Sequence, residues 1–196
     1  MSECIYTFVV TEENMMTKLQ KGMIWVGIVL FSLGFSCVAS LLEYGAVKII
    51  RYFLLGYMLA YLAAVDLEKR IVPNKSILLL LALRLALFVP EALLYPGYLG
   101  SFLLSSVVGA VLGMAVLFLG NLICRNGMGA GDIKLFGVIG FYLGPDAVLS
   151  VMLGALFLAA VYSAGKLLGK KIHLKDEIPF VPFVFAGFIA TALLGV

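Results

Sequence analysis

Apolar runs of membrane-spanning length recur through this 196-residue chain, and they leave little choice of fold. A bilayer-crossing helix needs about 20 mostly apolar residues, and it is favoured because it satisfies its own backbone hydrogen bonds in hydrocarbon. Seven candidates fall at residues 23–42, 49–65, 76–89, 101–123, 133–143, 147–164 and 180–196. The third and fifth are short, and Gly144-Pro145 ends the fifth. Apolar residues make up 63% of the chain and charged residues 13%, against roughly 45–50% and 25% in soluble domains. Too little polar surface remains to cover a soluble globule. The expected fold is therefore all-α, a polytopic membrane helix bundle of about seven spans. This excludes a soluble enzyme, a disordered linker and a nucleic-acid binder, which needs a solvated basic face.

Lys and Arg give the expected orientation, because cytoplasmic loops hold an excess of them. One set of alternate loops carries Lys18 and Lys21, then Lys69, Arg70 and Lys75, then Arg125 and Lys134, and finally Lys166, Lys170, Lys171 and Lys175. The other set carries only Lys48 and Arg51, beside Glu43, Glu91 and Asp146. Seven spans with a cytoplasmic N-terminus fit this bias. Residues 1–22 then form a cytoplasmic lead, and 23–48 a retained anchor helix with its outer loop. The anchor is too long for the apolar core of a signal peptide. Residues 49–196 hold the remaining spans. Gly109-x-x-x-Gly113 and Gly140-x-x-x-Gly144 have the spacing that lets helix backbones approach closely. Packing within the bundle is the expected use, with a dimer face as the alternative; the oligomeric state is left open.

Of the eleven acidic residues, six sit in the polar lead or the outer loops. Asp66 and Asp132 differ. Asp66 closes the second span and Asp132 opens the fifth, so both fall at the cytoplasmic boundary on different helices. Ionisable groups at membrane depth are costly and point to function. Two carboxylates sharing one proton around a water can hydrolyse an amide, since like charges close together cannot both ionise freely. Position alone favours two ordinary boundary residues solvated by headgroup water. The flanking sequence reverses that. Asn126-Gly127-Met128-Gly129-Ala130-Gly131 precedes Asp132, and a bare backbone beside a catalytic acid suits strand-like pairing with an extended peptide. A phosphate cradle would need the Gly-Lys-Ser/Thr ending of a P-loop, which is absent. After Asp66 comes the basic stretch Leu67-Glu68-Lys69-Arg70-Ile71-Val72, then a Pro73-Asn74 turn and a helix restarting at Ser76.

These residues resemble a family. Gly129-Ala130-Gly131-Asp132-Ile133-Lys134 is similar to the G-x-G-D motif of membrane aspartyl proteases, in the form found in prepilin peptidases. Asp66 with Pro73-Asn74 is similar to that family's other aspartate motif, with Val72 where Ile is usual. Ile178-Pro179-Phe180-Val181-Pro182-Phe183 resembles its I-P-F-G-P-F segment, with Val181 in place of Gly. Presenilin-like proteases share G-x-G-D, but the other two matches do not point to them. The resemblance implies that 49–196 is a membrane aspartyl protease domain. It implies Asp66 and Asp132 as the catalytic pair. Gly129, Ala130, Gly131, Lys134, Pro73, Asn74, Pro179 and Pro182 would then line the substrate. The implied substrates are prepilin or pseudopilin precursors, cut at their basic leader on the cytoplasmic face of the cell membrane. Longer members of the family carry paired C-x-x-C motifs and also methylate the new N-terminus. Cys4, Cys37 and Cys124 form no such pair, no disulfide framework and no zinc site. The expectation is a peptidase with no metal or other cofactor, and methyl transfer is left open.

Other charged residues admit two uses each. Arg84, mid-span, belongs to an inner polar network or snorkels to the interface. Lys134 tunes Asp132 or anchors its helix. His173 is the only histidine and reads as a solvated loop residue rather than a ligand. Asp176 and Glu177 meet a basic leader or stay solvated, and Cys124 stays reduced in the cytoplasm. Helix-end charges predict that Asp66, at a helix C-terminus, is the acid and Asp132, at an N-terminus, the base. Two other function classes remain open at this stage: a small proton-coupled transporter, and a non-catalytic pilus or secretion assembly factor.

Overall fold

The computed structural model describes residues 22, 26–29, 32–37, 39–40, 45–123, 129–168 and 178–195. Several residues singled out above lie outside them: Cys4, Lys18, Lys21, Glu43, Cys124, Arg125, residues 126–128, Lys170, Lys171, His173, Lys175, Asp176 and Glu177. Most of the 1–22 lead lies outside them too.

Among the described residues the structure is helical throughout, with no strand. Helix α1 is Val26–Cys37. It is followed by α2 (Ala46–Lys69), α3 (Asn74–Leu94), a short 3-10 turn at Pro96–Tyr98, α4 (Leu99–Ile123), α5 (Ala130–Leu143), α6 (Pro145–Leu168) and α7 (Val181–Leu194). Four of the seven expected spans, α2, α3, α4 and α6, are long and apolar enough to cross a membrane. The chain is a multi-pass membrane protein. Helices α5 and α7 have 14 residues each, about 21 Å at 1.5 Å per residue, against roughly 30 Å of hydrocarbon. Both are shorter than that thickness.

The way residues face outward is that of a protein in lipid. Along α4 the buried positions are Ser106, Gly109, Gly113 and Leu117, while Leu104, Val111, Phe118 and Leu122 are exposed. Small residues turn inward and let neighbouring backbones close up. Helix α5 is apolar on all sides and is enclosed accordingly, with every residue from Leu135 to Gly140 buried. It packs chiefly against α4, and also against α6, α3 and α2. Leu55, Leu59 and Leu62 of α2, Val148 and Val151 of α6, and Val184 and Phe188 of α7 are fully buried in the same core. The two glycine pairs meet each other within the chain. A Cβ on Gly109 would collide with the Gly140 carbonyl, and one on Gly140 with the Gly109 backbone. Gly144 ends α5 with φ 86°, a conformation that favours glycine, and Pro145 opens α6.

The third span differs from its expected 76–89. Pro90 lies just past that expected end, and proline lacks the N–H that an interior helical position donates. Even so, α3 runs on to Leu94 with Pro90 inside it. The reason lies one residue further on. Glu91 was assigned to an outer loop, yet it is a buried part of α3, bonded to Arg84 at 3.0 Å and paired with Arg51 at 3.5 Å. These tertiary contacts hold the last turn in place. Arg51 is likewise part of α2 rather than a loop.

Because successive helices run in opposite directions, one side of the bundle collects the end of α2, the start of α3, the start of α5 and the start of α7. Both aspartates lie on that side.

Candidate active site

Asp66 occupies the last turn of α2, which runs three residues past it to Lys69. The turn is closed by Arg70, whose N–H donates to the Asp66 carbonyl at 2.9 Å from a left-handed conformation, φ 53°. That geometry reverses the chain at once, so Ile71, Val72 and Pro73 suffice to reach α3. Asn74, not Ser76, is the first residue of α3, with Pro73 at its cap. The Asp66 side chain is buried, and its Oδ2 accepts the backbone N–H of Val181 at 2.9 Å. Val181 is the first residue of α7, where the N–H groups have no partners within the helix. The carboxylate therefore serves as a long-range N-cap. Pro182, in the second position of α7, has no N–H to satisfy and suits that place.

Asp132 lies inside the first turn of α5 rather than ahead of it. Its carboxylate is half-buried and is reached by the backbone N–H of Gly129, the cap residue. This is the returning half of a capping box, with an acid at the third helical position. The two carboxylates are close enough to act on one another through space. Asp66 is enclosed and Asp132 sits at the edge, beside the exposed Gly129, Ala130 and Lys134.

Three contacts bring the motifs together, and sequence periodicity encodes none of them. A Cβ on Gly131 would lie 3.1 Å from the Cβ of Val72, so the bare glycine admits the loop that follows Asp66. The Lys134 ammonium donates to the Asn74 side-chain oxygen at 3.4 Å. Phe136 of α5 stacks on Phe180 with ring centroids 6.1 Å apart. Pro179 and Pro182 are half-buried on the strip that leads from Phe180 into α7.

Two expectations change. Gly129 has φ −68°, and among the described residues only Gly144 and Gly195 are glycines with positive φ. Neither Gly129 nor Gly131 is there for a left-handed turn. The space that a side chain at Gly131 would need is taken by Val72 of this chain. The helix-end argument for acid and base also loses its basis, because Asp66 accepts from the first N–H of α7 while Asp132 sits in the first turn of α5. The helix-end partial charges no longer separate the two. The hint available in the sequence was Pro182, which marks a helix start. Nothing marked Asp66 as its cap.

The sequence profile of the type IV leader peptidase family matches residues 53–164, a stretch that holds both aspartates and stops short of the Pro179 segment. A prepilin leader peptidase/N-methyltransferase of Bacillus subtilis is 31% identical over 143 residues, covering 70% of this chain and 53% of the relative. One from Aeromonas salmonicida is 35% identical over 145 residues, covering 70% and 47%. Another, from Burkholderia pseudomallei, is 30% identical over 123 residues, covering 55% and 40%. The chain thus spans about half the length of the curated relatives it matches. No solved structure matches it. With the profile covering more than half of its residues and both aspartate motifs, the chain belongs to the type IV leader peptidase family.

Proposed function

We propose that this protein is a membrane aspartyl endopeptidase that removes the basic leader from type IV prepilin-like precursors at the cytoplasmic membrane face. The observation that carries the reading is the junction of two aspartate motifs at one end of the bundle, through Val72 against Gly131 and Lys134 on Asn74. In the proposed step one carboxylate takes a proton from a water, whose oxygen attacks the scissile carbonyl. The other carboxyl group protonates the carbonyl oxygen. As the C–N bond breaks, the leaving nitrogen takes the proton held by the first carboxyl group, and a hydroxyl of the tetrahedral intermediate returns a proton to the second. The exposed Gly129, Ala130 and Asn74, with Pro73, Pro179 and Pro182 beside them, would border an extended substrate. The excess of Lys and Arg on this side supports a cytoplasmic orientation. The reading covers peptide cleavage only, although the relatives named above are also called N-methyltransferases.

The test is direct. The full chain in lipid nanodiscs is incubated with a precursor that has a short basic leader before an apolar helix, and the products are weighed by mass spectrometry. One cut at the leader boundary is expected, and an intact precursor would refute the reading. The chemistry uses no metal, so EDTA should leave the rate unchanged; strong inhibition by EDTA that added zinc or magnesium reverses would count against it.

Gly131→Val should lower the cleavage rate at least about tenfold, because a displacement near 1 Å at a reacting group can lose far more. Its side chain would be driven against Val72 and would separate the two aspartate motifs. Ala130→Gly should be mild, since Ala130 is exposed and its methyl group already fits. Equal rates for wild type and Gly131→Val would show that the Val72 contact does not position the site.

A further inference from the structure

The helix that carries Asp132 is too short to reach the far side of the membrane, so its C-terminus lies within the bundle. Arg84 stands ten residues from either end of α3, beside that terminus. The last carbonyls of a helix have no partners within it, and in hydrocarbon there is no water to supply one. At the end of α5, Gly140 is satisfied by the N–H of Gly144 at 2.8 Å. Phe141 is satisfied by Nε of Arg84 at 3.1 Å, from another helix.

The rest of the guanidinium is also committed. One terminal nitrogen donates to Glu91 at 3.0 Å and the other to Ser106 of α4 at 3.2 Å. The planar face lies over the Phe88 ring, 4.0 Å from its centroid. Arg84 is fully buried, so it does not snorkel, and the inner-network alternative holds. Its neighbour Tyr142 adds a second tie, donating its hydroxyl hydrogen to the Leu80 carbonyl at 2.8 Å. A planar fork with donors in three directions is what joins α3, α4 and α5 at one point; a lysine ammonium has no such fixed geometry.

We propose that Arg84 is a positioning residue for Asp132. By capping the buried end of α5 within the membrane, it fixes the depth at which the other end presents its carboxylate. Its catalytic consequence rests on the peptidase reading; its structural consequence does not. Asp132 is nine residues along α5 from Phe141, about 13 Å at 1.5 Å per residue. A rigid buried rod transmits a shift at one end to the other.

The test uses the full chain in lipid nanodiscs and two readouts. Leader cleavage is measured for wild type, R84M, R84K and R84M/E91Q. In parallel, nitroxides at positions 69 and 130, in a background with the native cysteines replaced by serine, report the distance between the ends of α2 and α5. R84M should lower kcat about 10- to 100-fold with KM changed little, and should broaden or shift the distance distribution. R84K should be partly rescued in both, since it keeps one donor. In R84M/E91Q the buried carboxylate that has lost its nearer partner is gone and Gln still accepts from Arg51, so thermal stability should recover. The kcat and the distance should not recover, because the Phe141 carbonyl still lacks its partner. Recovery of both in R84M/E91Q would overturn the proposal and leave Arg84 as a counter-charge only. An unchanged distance in R84M would overturn it too; if R84M does not fold, a wild-type distance and kcat in R84K/E91Q would do the same. Should wild type not cleave at all, the peptidase reading falls while the distances still decide the role of Arg84.

Discussion

Asp66→Asn and Asp132→Asn should each lower leader cleavage by at least about 10³-fold, the scale of loss when one member of a concerted catalytic unit is removed. The fold should survive both changes. An asparagine side-chain oxygen at position 66 still accepts the Val181 N–H, and one at 132 still accepts from Gly129. What each variant loses is the ability to take up or give up a proton. A melting temperature within a few degrees of wild type, beside a lost product peak, is the expected pair of results. A variant that unfolds would instead assign its aspartate a structural role as a helix cap.

Gly140→Val should have the largest effect on stability. A Cβ there meets the Gly109 backbone, which cannot rotate aside as a side chain can. The α4–α5 pairing must open, at a cost of about 3 kcal/mol or more, since overpacking a tight core costs typically 1–3 kcal/mol even where side chains yield. The protein should be poorly inserted or melt well below wild type in detergent. Gly120 offers the contrast, having open space where its Cβ would lie. Gly120→Ala should be neutral or stabilising by about 0.5–1 kcal/mol, from helix propensity alone. If Gly140→Val melts like wild type, the intimate α4–α5 contact is wrong.

The four long spans were legible because hydrocarbon imposes a length and a composition that survive without knowledge of neighbours. Their ends were less so. Pro90 is a local stop signal, and it was overruled by Arg84 and Arg51 gripping Glu91 from the same and a neighbouring helix. Arg84 itself was visible as an anomaly, but its three acceptors lie on three helices and no pattern in the sequence connects them. Around the site, the aspartates and the glycines were legible as motifs. Their geometry was not, because it is made by pairs such as Asp66 and Val181, 115 residues apart. Gly131 shows the limit well. A glycine beside a carboxylate reads as room for a substrate, and on its Cβ side the folded chain places Val72.

The claim at the centre is that Asp66 and Asp132 act as one unit on one water. The measurement that tests it most directly is leader cleavage by the two single Asn variants and the double variant, under single-turnover conditions in lipid. Groups that work as a unit are not additive, so the double variant should be no slower than either single variant. Losses that multiply in the double variant, or near-wild-type cleavage by either single one, would contradict the account.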